Sequence, residues 1–490
     1  MFRVQALACS IRDPRGCYFV RTPKLDLKSA TFKISMTTPR SSPFAAFFKW
    51  ANLLLIITGC AALVLYRISL RAHLGIDIRW FLKIVLVQCA LYVLVAWLVI
   101  KARAARSTLL IVIVFATLFR LSLLFSPPYL SDDIYRYVWD GRVQAAGINP
   151  YRYLPADSAL AQLRDDKTYP RINRKDYART IYPPVAEAIF FLTTRISETV
   201  TWMKATMVLF EALAVWALAQ LLASFGLPRQ RILLYAWHPL TVWEFAGSGH
   251  ADSIAIAFIA LTLLARRRNS EIGTGFTLAG ATLAKVFPFV MFPAFYKRWN
   301  WKMPLVFLTT IIVGYLPYLG VGLTRALVFL FGDAPERGIE GGKDFFLLTV
   351  ARRLPLGFHV PTAAFVIFAV LIGAVLSVWM IARRNENYIV NALIIGSVFV
   401  VLVSPHFPWY FAWLVPFLCL IPDPAVIYLT LASFLMYLTW LGDAPNQVLK
   451  MKAGIYVPAL VLCALTVWWR KRKRLSADYA DKERSHHNGP

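Results

Sequence analysis

About a dozen long runs of apolar residues, separated by short polar or basic segments, account for most of the sequence from residue 48 onward. A helix needs about 20 apolar residues to cross a bilayer core about 30 Å thick. Runs of this length and number predict an all-α polytopic membrane protein with about a dozen or more transmembrane helices and short loop helices on the outer face. The runs lie near residues 48–66, 79–100, 107–126, 202–225, 231–247, 251–265, 272–296, 303–320, 362–382, 388–404, 409–421, 424–441 and 453–469.

The composition supports this fold class. Hydrophobic residues make up 58% of the 490 residues and charged residues only 16%, which is more apolar than is usual for a soluble domain. The net charge of +27 comes mostly from basic clusters between the apolar runs, so it indicates membrane topology rather than nucleic-acid binding. The six cysteines show no metal-ligand spacing, and we assign them neither a disulfide nor a metal.

The basic clusters predict which helix ends face the cytoplasm. If all the clusters are cytoplasmic, the helices alternate consistently only when the run 272–296 enters and leaves the membrane on the same side. Gly280 and Pro288 interrupt this run, so we expect two half-helices with Lys285 near the turn, lining a polar cavity. The clusters lie at residues 101–106, 228–231, 266–268, 297–302, 383–384 and 470–474.

This topology predicts a multi-pass protein of the plasma (inner) membrane with both termini in the cytoplasm. Either Met1 or Met36 fits as the first residue. The predicted regions are a basic, disordered cytoplasmic tail (1–43), a transmembrane domain (44–470) with two large outer loops (127–200 and 321–361), and a basic and polar cytoplasmic tail (471–490).

Two adjacent carboxylates after the third apolar run are the strongest functional signal. The run ends at Pro127-Pro128, and Asp132 and Asp133 follow within a few residues, so both are expected close to the lipid headgroups. We expect a short helix over residues 131–146, whose N-terminus favours ionised carboxylates and therefore suits a general base. The alternative is that one aspartate caps the helix and the other forms a salt bridge.

Several short motifs follow one another between residues 110 and 420. They are Ser131-Asp132-Asp133-Ile134-Tyr135-Arg136-Tyr137 with Trp139-Asp140-Gly141, Gly147-Ile148-Asn149-Pro150-Tyr151, Ile181-Tyr182-Pro183-Pro184, Trp237-His238-Pro239-Leu240 through Gly249-His250-Ala251-Asp252, and Gly280 through Lys285 to Pro288, ending in Lys297-Arg298-Trp299. In this order they resemble the polyprenol-phosphate-sugar-dependent glycosyltransferases of the multi-spanning GT-C superfamily, in particular the bacterial mannosyltransferase-like families related to family 87.

The resemblance implies an enzyme that transfers a hexose, mannose above all, with inversion. The implied donor is a polyprenyl phosphate sugar, and the implied acceptor is a hydroxyl of a glycan or glycolipid on the outer membrane face. An aspartate of the large outer loop, here Asp132 or Asp133, would be the general base. In this chain the loop follows the third apolar run, whereas the family commonly places it after the first.

The leaving phosphate of such a donor needs cations rather than a general acid. Lys285 is the first candidate, because a charge inside a membrane segment is costly; the alternative is that it snorkels to the interface. Arg136 and Arg142 can instead form ion pairs on the helix surface. The full set of candidate donor- and substrate-binding residues is Lys285, Arg136, Arg142, His250, Asp252, Tyr182, Arg337, Lys343 and His406.

Two questions about chemistry stay open at this point. Asp132, Asp133 and Asp252 offer the oxygen ligands that magnesium or manganese prefers, but the cations alone can neutralise a monophosphate, so we favour no metal and no cofactor. A transporter or lipid flippase is the main alternative function, although it would concentrate polar residues near mid-membrane on repeated helices. A polymerase or ligase of lipid-linked glycans would use the same type of donor.

Overall fold

The computed structural model describes residues 43–71, 77–102, 105–128, 130–327, 345–355, 359–383, 387–442 and 444–487. The predicted tail 1–43 therefore lies almost entirely outside the described residues. The contacts divide the chain into Met1–Ala46 and Phe47–Pro490, and every contact reported below belongs to the second unit. Helices form the regular structure of the described residues, and no strand is found among them.

The longer helices are α1 (Pro43–Arg71), α2 (Ile78–Lys101), α3 (Arg106–Leu124), α4 (Asp133–Ala145), α5 (Pro184–Ile196), α6 (Val200–Ser224), α7 (Asp252–Arg267), α8 (Glu271–Ala284), α9 (Lys302–Tyr315), α10 (Phe346–Ala351), α11 (Thr362–Ala382), α12 (Tyr388–Val403), α13 (Pro424–Ala432) and α14 (Pro445–His487). Shorter helical segments are Ser158–Leu163, Tyr169–Arg171, Arg229–Ile232, Leu233–Ala236, Pro239–Thr241, Val242–Gly247, Phe287–Met291, Phe292–Phe295, Leu316–Val321, Leu323–Ala326, Pro408–Leu414, Val415–Leu418 and Ser433–Leu441.

Within the described ranges, eight helical stretches are long and apolar enough to cross a membrane. Their outward faces carry large apolar side chains, such as Leu86 (71% exposed) and Val375 (67% exposed), which lipid rather than water would cover. The prediction of an all-α polytopic membrane protein is therefore confirmed. The eight stretches are Trp50–Leu70, Ile78–Lys101, Arg106–Leu124, Val200–Ser224, Lys302–Val321, Thr362–Ala382, Pro424–Leu441 and Pro445–Arg472.

The remaining apolar runs are short or interrupted. Helices α7 and α12 have 16 residues each. The runs 231–247, 272–296 and 409–421 are broken into short helical segments. Interrupted helices at membrane depth are tolerated where they are enclosed by protein or line a polar cavity.

The run 272–296 shows the predicted interruption. Helix α8 ends at Ala284, Lys285 adopts an extended conformation, and helical structure resumes at Phe287. The break is at Lys285 and not at Gly280, which stays inside α8 where a Cβ atom would lie 2.7 Å from the ring of Phe258.

The start and the end of this segment lie side by side. Lys297 Nζ is 2.8 Å from Glu271 Oε1 and donates to Asn269 Oδ1 at 3.2 Å. Because α8 is 14 residues long, Lys285 lies about 21 Å along the helix from this contact. The segment therefore turns back on itself.

Basic segments that were predicted to share one side of the membrane are joined by contacts. The backbone N–H of Ala105 donates to Gln230 Oε1 at 2.9 Å, beside the basic cluster 228–231. Arg267 Nε donates to Ser224 Oγ at 3.2 Å. These contacts and the Lys297–Glu271 ion pair gather four of the basic clusters (101–106, 228–231, 266–268 and 297–302) at the same end of the helices.

Buried charges of α6 fix the opposite end of α3. Lys204 Nζ donates to the carbonyl oxygens of Leu123 (2.7 Å) and Ser126 (2.8 Å), at the C-terminal end of α3 and just after it. Arg120 and Glu211 form a buried ion pair with 2.7 Å between Nη2 and Oε1. The exit of the chain toward α4 is thus tied to α6.

Candidate functional site

A cavity of about 1190 Å³ lies where α3 leaves the helix bundle. Its lining comes from the N-terminus of α4, the loop around residues 173–182, the break at Lys285, helix α10 with the residues after it, the turn 405–410, and the start of α14. The volume exceeds the 300–1,000 Å³ typical of small-molecule sites. It is therefore large enough for a ligand bigger than most small molecules.

The lining is strongly positive. Asp132 and Asp133 are its carboxylates among the described residues, whereas it has seven Lys and Arg residues. Such an excess of positive charge inside a cleft attracts anionic ligands. The basic residues are Arg136, Arg174, Arg179, Lys285, Arg352, Arg353 and Lys452.

Asp132 is the more open of the two carboxylates. It occupies the N-cap position of α4, but its side chain accepts no capping hydrogen bond; instead, the N–H of Asp133 donates to Ser131 Oγ at 3.2 Å. Partial burial and the neighbouring charge of Asp133 raise the pKa of Asp132, while Arg171 opposes this shift. A capping role does not account for Asp132.

Asp133 is held in place. Its Oδ1 accepts a hydrogen bond of 2.6 Å from Asn173 Nδ2, in the loop that covers α4. Both aspartates line the cavity. The hydrogen-bonded Asp133 and the exposed Asp132 therefore differ in partners and in access, although they are adjacent in the chain.

Lys285 is buried and paired, and it lines the cavity. Its Nζ is 3.2 Å from Asp252 Oδ2 and lies over the rings of Tyr410 (5.2 Å) and Tyr182 (5.7 Å). Trp413 Nε1 donates to the other oxygen of Asp252 at 3.0 Å. Snorkelling does not explain these contacts, because the ammonium points to an internal carboxylate.

Arg136 has both features considered for it from the sequence: it forms an ion pair on its helix, and it is a cation placed at the cavity. Its Nε donates to Asp140 Oδ1 at 2.8 Å, an i,i+4 ion pair, and its Nη1 donates to the carbonyl of Ala178 at 3.1 Å. It also lines the cavity. A buried, paired guanidinium is a fixed positive charge beside the aspartates.

Arg142 is not brought to the cavity. Its guanidinium contacts Asp165 (2.6 Å), Glu198 (2.8 Å) and the carbonyl of Leu163 (3.0 Å). Against the effect of partial burial, the hydrogen bonds from Arg142 and from backbone N–H groups lower the pKa of Asp165 to about 2. The structure gives Arg142 the ion-pair role, in which it fastens the outer loop to α4.

His250 and Asp252 lie behind the cavity rather than in its lining. The ring of His250 lies 3.8 Å from that of Trp409, and its Nε2 is 3.6 Å from Glu244 Oε2. Glu244 accepts a hydrogen bond of 2.8 Å from Tyr437. These buried groups hold Trp409 and Lys285, which do reach the cavity.

Tyr182 and His406, two of the candidate substrate-binding residues, line the cavity. Tyr182 packs edge-on against Tyr137, with 4.9 Å between ring centroids. Arg337 and Lys343, the other two predicted cations, lie outside the described residues.

The sequence did not single out several of the lining residues. The sequence does contain a signal for Lys452, because this charge adjoins an apolar run, much as Lys285 lies within one. In the structure Lys452 is buried and donates to the carbonyl of Ser404 at 3.3 Å. The others are polar residues of loops whose distance to the aspartates no local pattern reveals. They are Asn173, Arg174, Arg179, Arg352 and Arg353.

From the sequence, Asp132, Asp133 and Asp252 are possible ligands of a divalent metal ion, and the contacts of Asp252 bear on that possibility. Both oxygens of Asp252 contact Lys285 or Trp413. In the described part of the chain, no group of three or more His, Cys, Asp or Glu side chains is placed to hold a metal ion.

Comparison with known families assigns more than half of the chain. Residues 50–301 match the model of the alpha-(1->6)-mannopyranosyltransferase N-terminal domain. The match spans about half of the chain and includes Asp132, Asp133 and Lys285, whereas the lining residues 345–452 lie beyond it. A comparison with curated proteins finds no match. The chain therefore belongs to the alpha-(1->6)-mannopyranosyltransferase family and is a GT-C-type membrane mannosyltransferase.

Proposed function

We propose that the enzyme transfers mannose, with inversion, from a polyprenyl phosphate mannose to an acceptor hydroxyl, and that it forms an α-(1→6) linkage. The observation that carries this proposal is a single cavity in which an open carboxylate, Asp132, shares the lining with a buried cation, Lys285. A carboxylate can activate a hydroxyl, and a cation can bind a phosphate.

Asp132 is the proposed general base. Its carboxylate accepts the proton of the acceptor hydroxyl while the hydroxyl oxygen bonds to the anomeric carbon of mannose. The bond from that carbon to the phosphate oxygen breaks, and the lipid phosphate leaves with the electron pair. A raised pKa makes Asp132 a stronger base than an ordinary aspartate.

Lys285 is the proposed partner of the phosphate. The phosphate is already a good leaving group, so stabilisation of its negative charge replaces a general acid. Asp252 orients the ammonium through its 3.2 Å contact, and Arg136 adds a fixed positive charge. This chemistry uses residues of the chain alone, without a metal or cofactor.

The site is proposed to open at the outer face of the plasma (inner) membrane. Helices α3 and α8 each begin beside basic clusters and end at the cavity. Under the positive-inside rule, the clusters are cytoplasmic and the cavity is on the far side. Both termini are then cytoplasmic, and the partners are the donor lipid, a glycan or glycolipid acceptor, and the bilayer.

The proposal is tested by steady-state kinetics of the purified enzyme in lipid nanodiscs. Lys285→Met keeps the apolar stem but removes the ammonium. A hydrogen bond to a charged group contributes about 1.5–3 kcal/mol, so we expect kcat/KM for polyprenyl phosphate mannose to fall about ten- to a hundredfold. The acceptor KM should change much less. Lys302→Met, at an exposed lysine outside the cavity, is the matched control.

Two results would contradict the proposal. An unchanged donor kcat/KM in Lys285→Met would remove Lys285 from the phosphate site. The product linkage tests inversion separately: a β-linked donor must give an α-linked product by NMR, and retention of configuration would exclude a mechanism with one base.

A further inference from the structure

We propose that Tyr410 is the platform on which the mannose ring of the donor rests, so that its aromatic face selects a sugar-bearing lipid phosphate over the bare lipid phosphate. This inference rests on the proposed function, because it assumes a phosphate at Lys285. It adds a sugar subsite.

The position of Tyr410 follows from its contact with Lys285. The ammonium lies over the face of the Tyr410 ring, 5.2 Å from the centroid, and both residues line the cavity. In the donor a single oxygen joins the phosphate to the anomeric carbon. A phosphate bound to Lys285 therefore brings the pyranose ring next to this aromatic face.

The chemistry of the two surfaces is complementary. The face of an aromatic ring is electronegative, and the C–H groups on one side of a pyranose ring are weakly electropositive and apolar. An anionic phosphate gains nothing from the same face. Tyr410 therefore adds binding energy for the sugar and none for the phosphate.

Packing holds the ring in place. The side chain is only half-buried, while Phe287 and Trp413 contact it edge-on at 5.4 and 6.0 Å between centroids. Next to it, Trp409 stacks on Phe407 at 4.4 Å. An aromatic side chain fixed by its neighbours loses little entropy when it binds a ligand.

The phosphate has a second neighbour in the donor, the first isoprene unit of the lipid, and that unit could also occupy the Tyr410 face. The two occupants are separated with two ligands. Polyprenyl phosphate mannose carries both the sugar and the lipid, whereas polyprenyl phosphate, measured as an inhibitor, carries only the lipid.

The experiment compares Tyr410→Leu, which removes the ring, with Tyr410→Phe, which keeps it. We expect Tyr410→Leu to raise the KM for polyprenyl phosphate mannose about three- to tenfold and to leave the inhibition constant of polyprenyl phosphate unchanged. Tyr410→Phe should stay within about threefold of the wild type for both ligands. Tyr177→Leu, at an exposed tyrosine of the outer loop, is the matched control.

Each other outcome overturns the inference. Equal weakening of both ligands by Tyr410→Leu would mean that the ring acts on the lipid or, through its contact with Lys285, on the phosphate, and not on the sugar. No change for either ligand would mean that the ring only packs. Lys285→Met separates this failure from failure of the proposed function, because it must weaken both ligands if the phosphate site is correct. Tyr410→Met replaces Tyr410→Leu if the latter does not fold.

Discussion

Two aspartates of helix α4, Asp132 at its N-terminus and Asp140 near its middle, lie in opposite surroundings. Asp132, at the N-terminus, lines the cavity and its side chain makes no capping hydrogen bond. Asp140, about two turns further on, is 1% exposed and ion-paired with Arg136. The comparison shows that burial and partners, not residue type, decide which carboxylate is available for chemistry.

The pKa of each carboxyl is raised, but for different reasons. Partial burial and the charge of Asp133 act on Asp132. Full burial raises the pKa of Asp140, and Arg136 opposes it. Asp140 also has a carboxylate neighbour, Glu187, which accepts hydrogen bonds from Thr180 (2.6 Å) and Gln144 (2.8 Å).

Around Asp140, two carboxyl groups therefore share one guanidinium. Two buried negative charges with a single cation are costly in a low dielectric. Burial, together with the charge of Asp140, raises the pKa of Glu187 well above its ordinary value. We infer that Glu187 holds its proton to a higher pH than an ordinary glutamate does, and that Asp140 is the ionised partner of Arg136.

The largest effect on the rate is expected at Asp132, at the N-terminus of α4. Asp132→Asn keeps the shape of the side chain but cannot accept a proton, so the transfer rate should fall about 10²–10⁴-fold. Thermal unfolding should stay close to that of the wild type, because Asp132 makes no capping hydrogen bond. Asp157→Asn, in the same outer loop but outside the cavity lining, is the matched control.

If Asp132→Asn keeps activity within a few-fold of the wild type, Asp132 is not the general base. The base would then have to be Asp133, whose hydrogen bond to Asn173 would in that case orient it for proton transfer. The same assay on Asp133→Asn decides between the two.

Asp140→Asn should have a smaller effect on the rate and a larger effect on stability. The change leaves the buried guanidinium of Arg136 without its ionised partner, and loss of one member of a buried ion pair costs about 3 kcal/mol or more. We expect a clear fall in the unfolding temperature and about a tenfold loss of rate, since Arg136 also lines the cavity. A stable but inactive Asp140→Asn protein would contradict this assignment.

The sequence predicted the features that are costly in a membrane. The acidic pair after Pro128 and the lysine in an interrupted apolar run both stood out locally, and the structure brings Asp132, Asp133 and Lys285 to one cavity. A charge in an apolar run needs a partner, which makes such a residue conspicuous.

The rest of the site depends on contacts between distant segments. Arg352 and Lys452 line the cavity although they lie more than 200 positions after Asp132 in the chain. No local periodicity predicts that such distant segments meet. Arg142 shows the converse: it lies on the same helix as Arg136, yet Asp165 and Glu198 hold it away from the cavity. Which carboxylate an arginine pairs with depends on the tertiary structure, and the sequence alone did not predict it.

The smallest effect on the rate is expected from Glu187→Gln. Glutamine resembles a protonated glutamic acid in shape, so transfer should stay within about threefold of the wild type if Glu187 is neutral in the folded protein. Glu187 is fully buried and lies outside the cavity lining, so no substrate contact is lost.

The protonation of Glu187 also predicts how the stability of Glu187→Gln, relative to the wild type, changes with pH. In the unfolded chain Glu187 loses its proton above its ordinary pKa of about 4.5, whereas the raised pKa keeps the proton in the folded protein. The folded state then binds more protons than the unfolded state, so wild-type stability falls as the pH rises from about 4.5 toward the folded-state pKa. Glutamine does not titrate. The unfolding temperature of Glu187→Gln, measured from acidic to neutral pH, should therefore rise relative to that of the wild type. A difference that does not change with pH would show that the pKa of Glu187 is not raised in the folded protein, so that Glu187 and Asp140 would both be ionised at neutral pH.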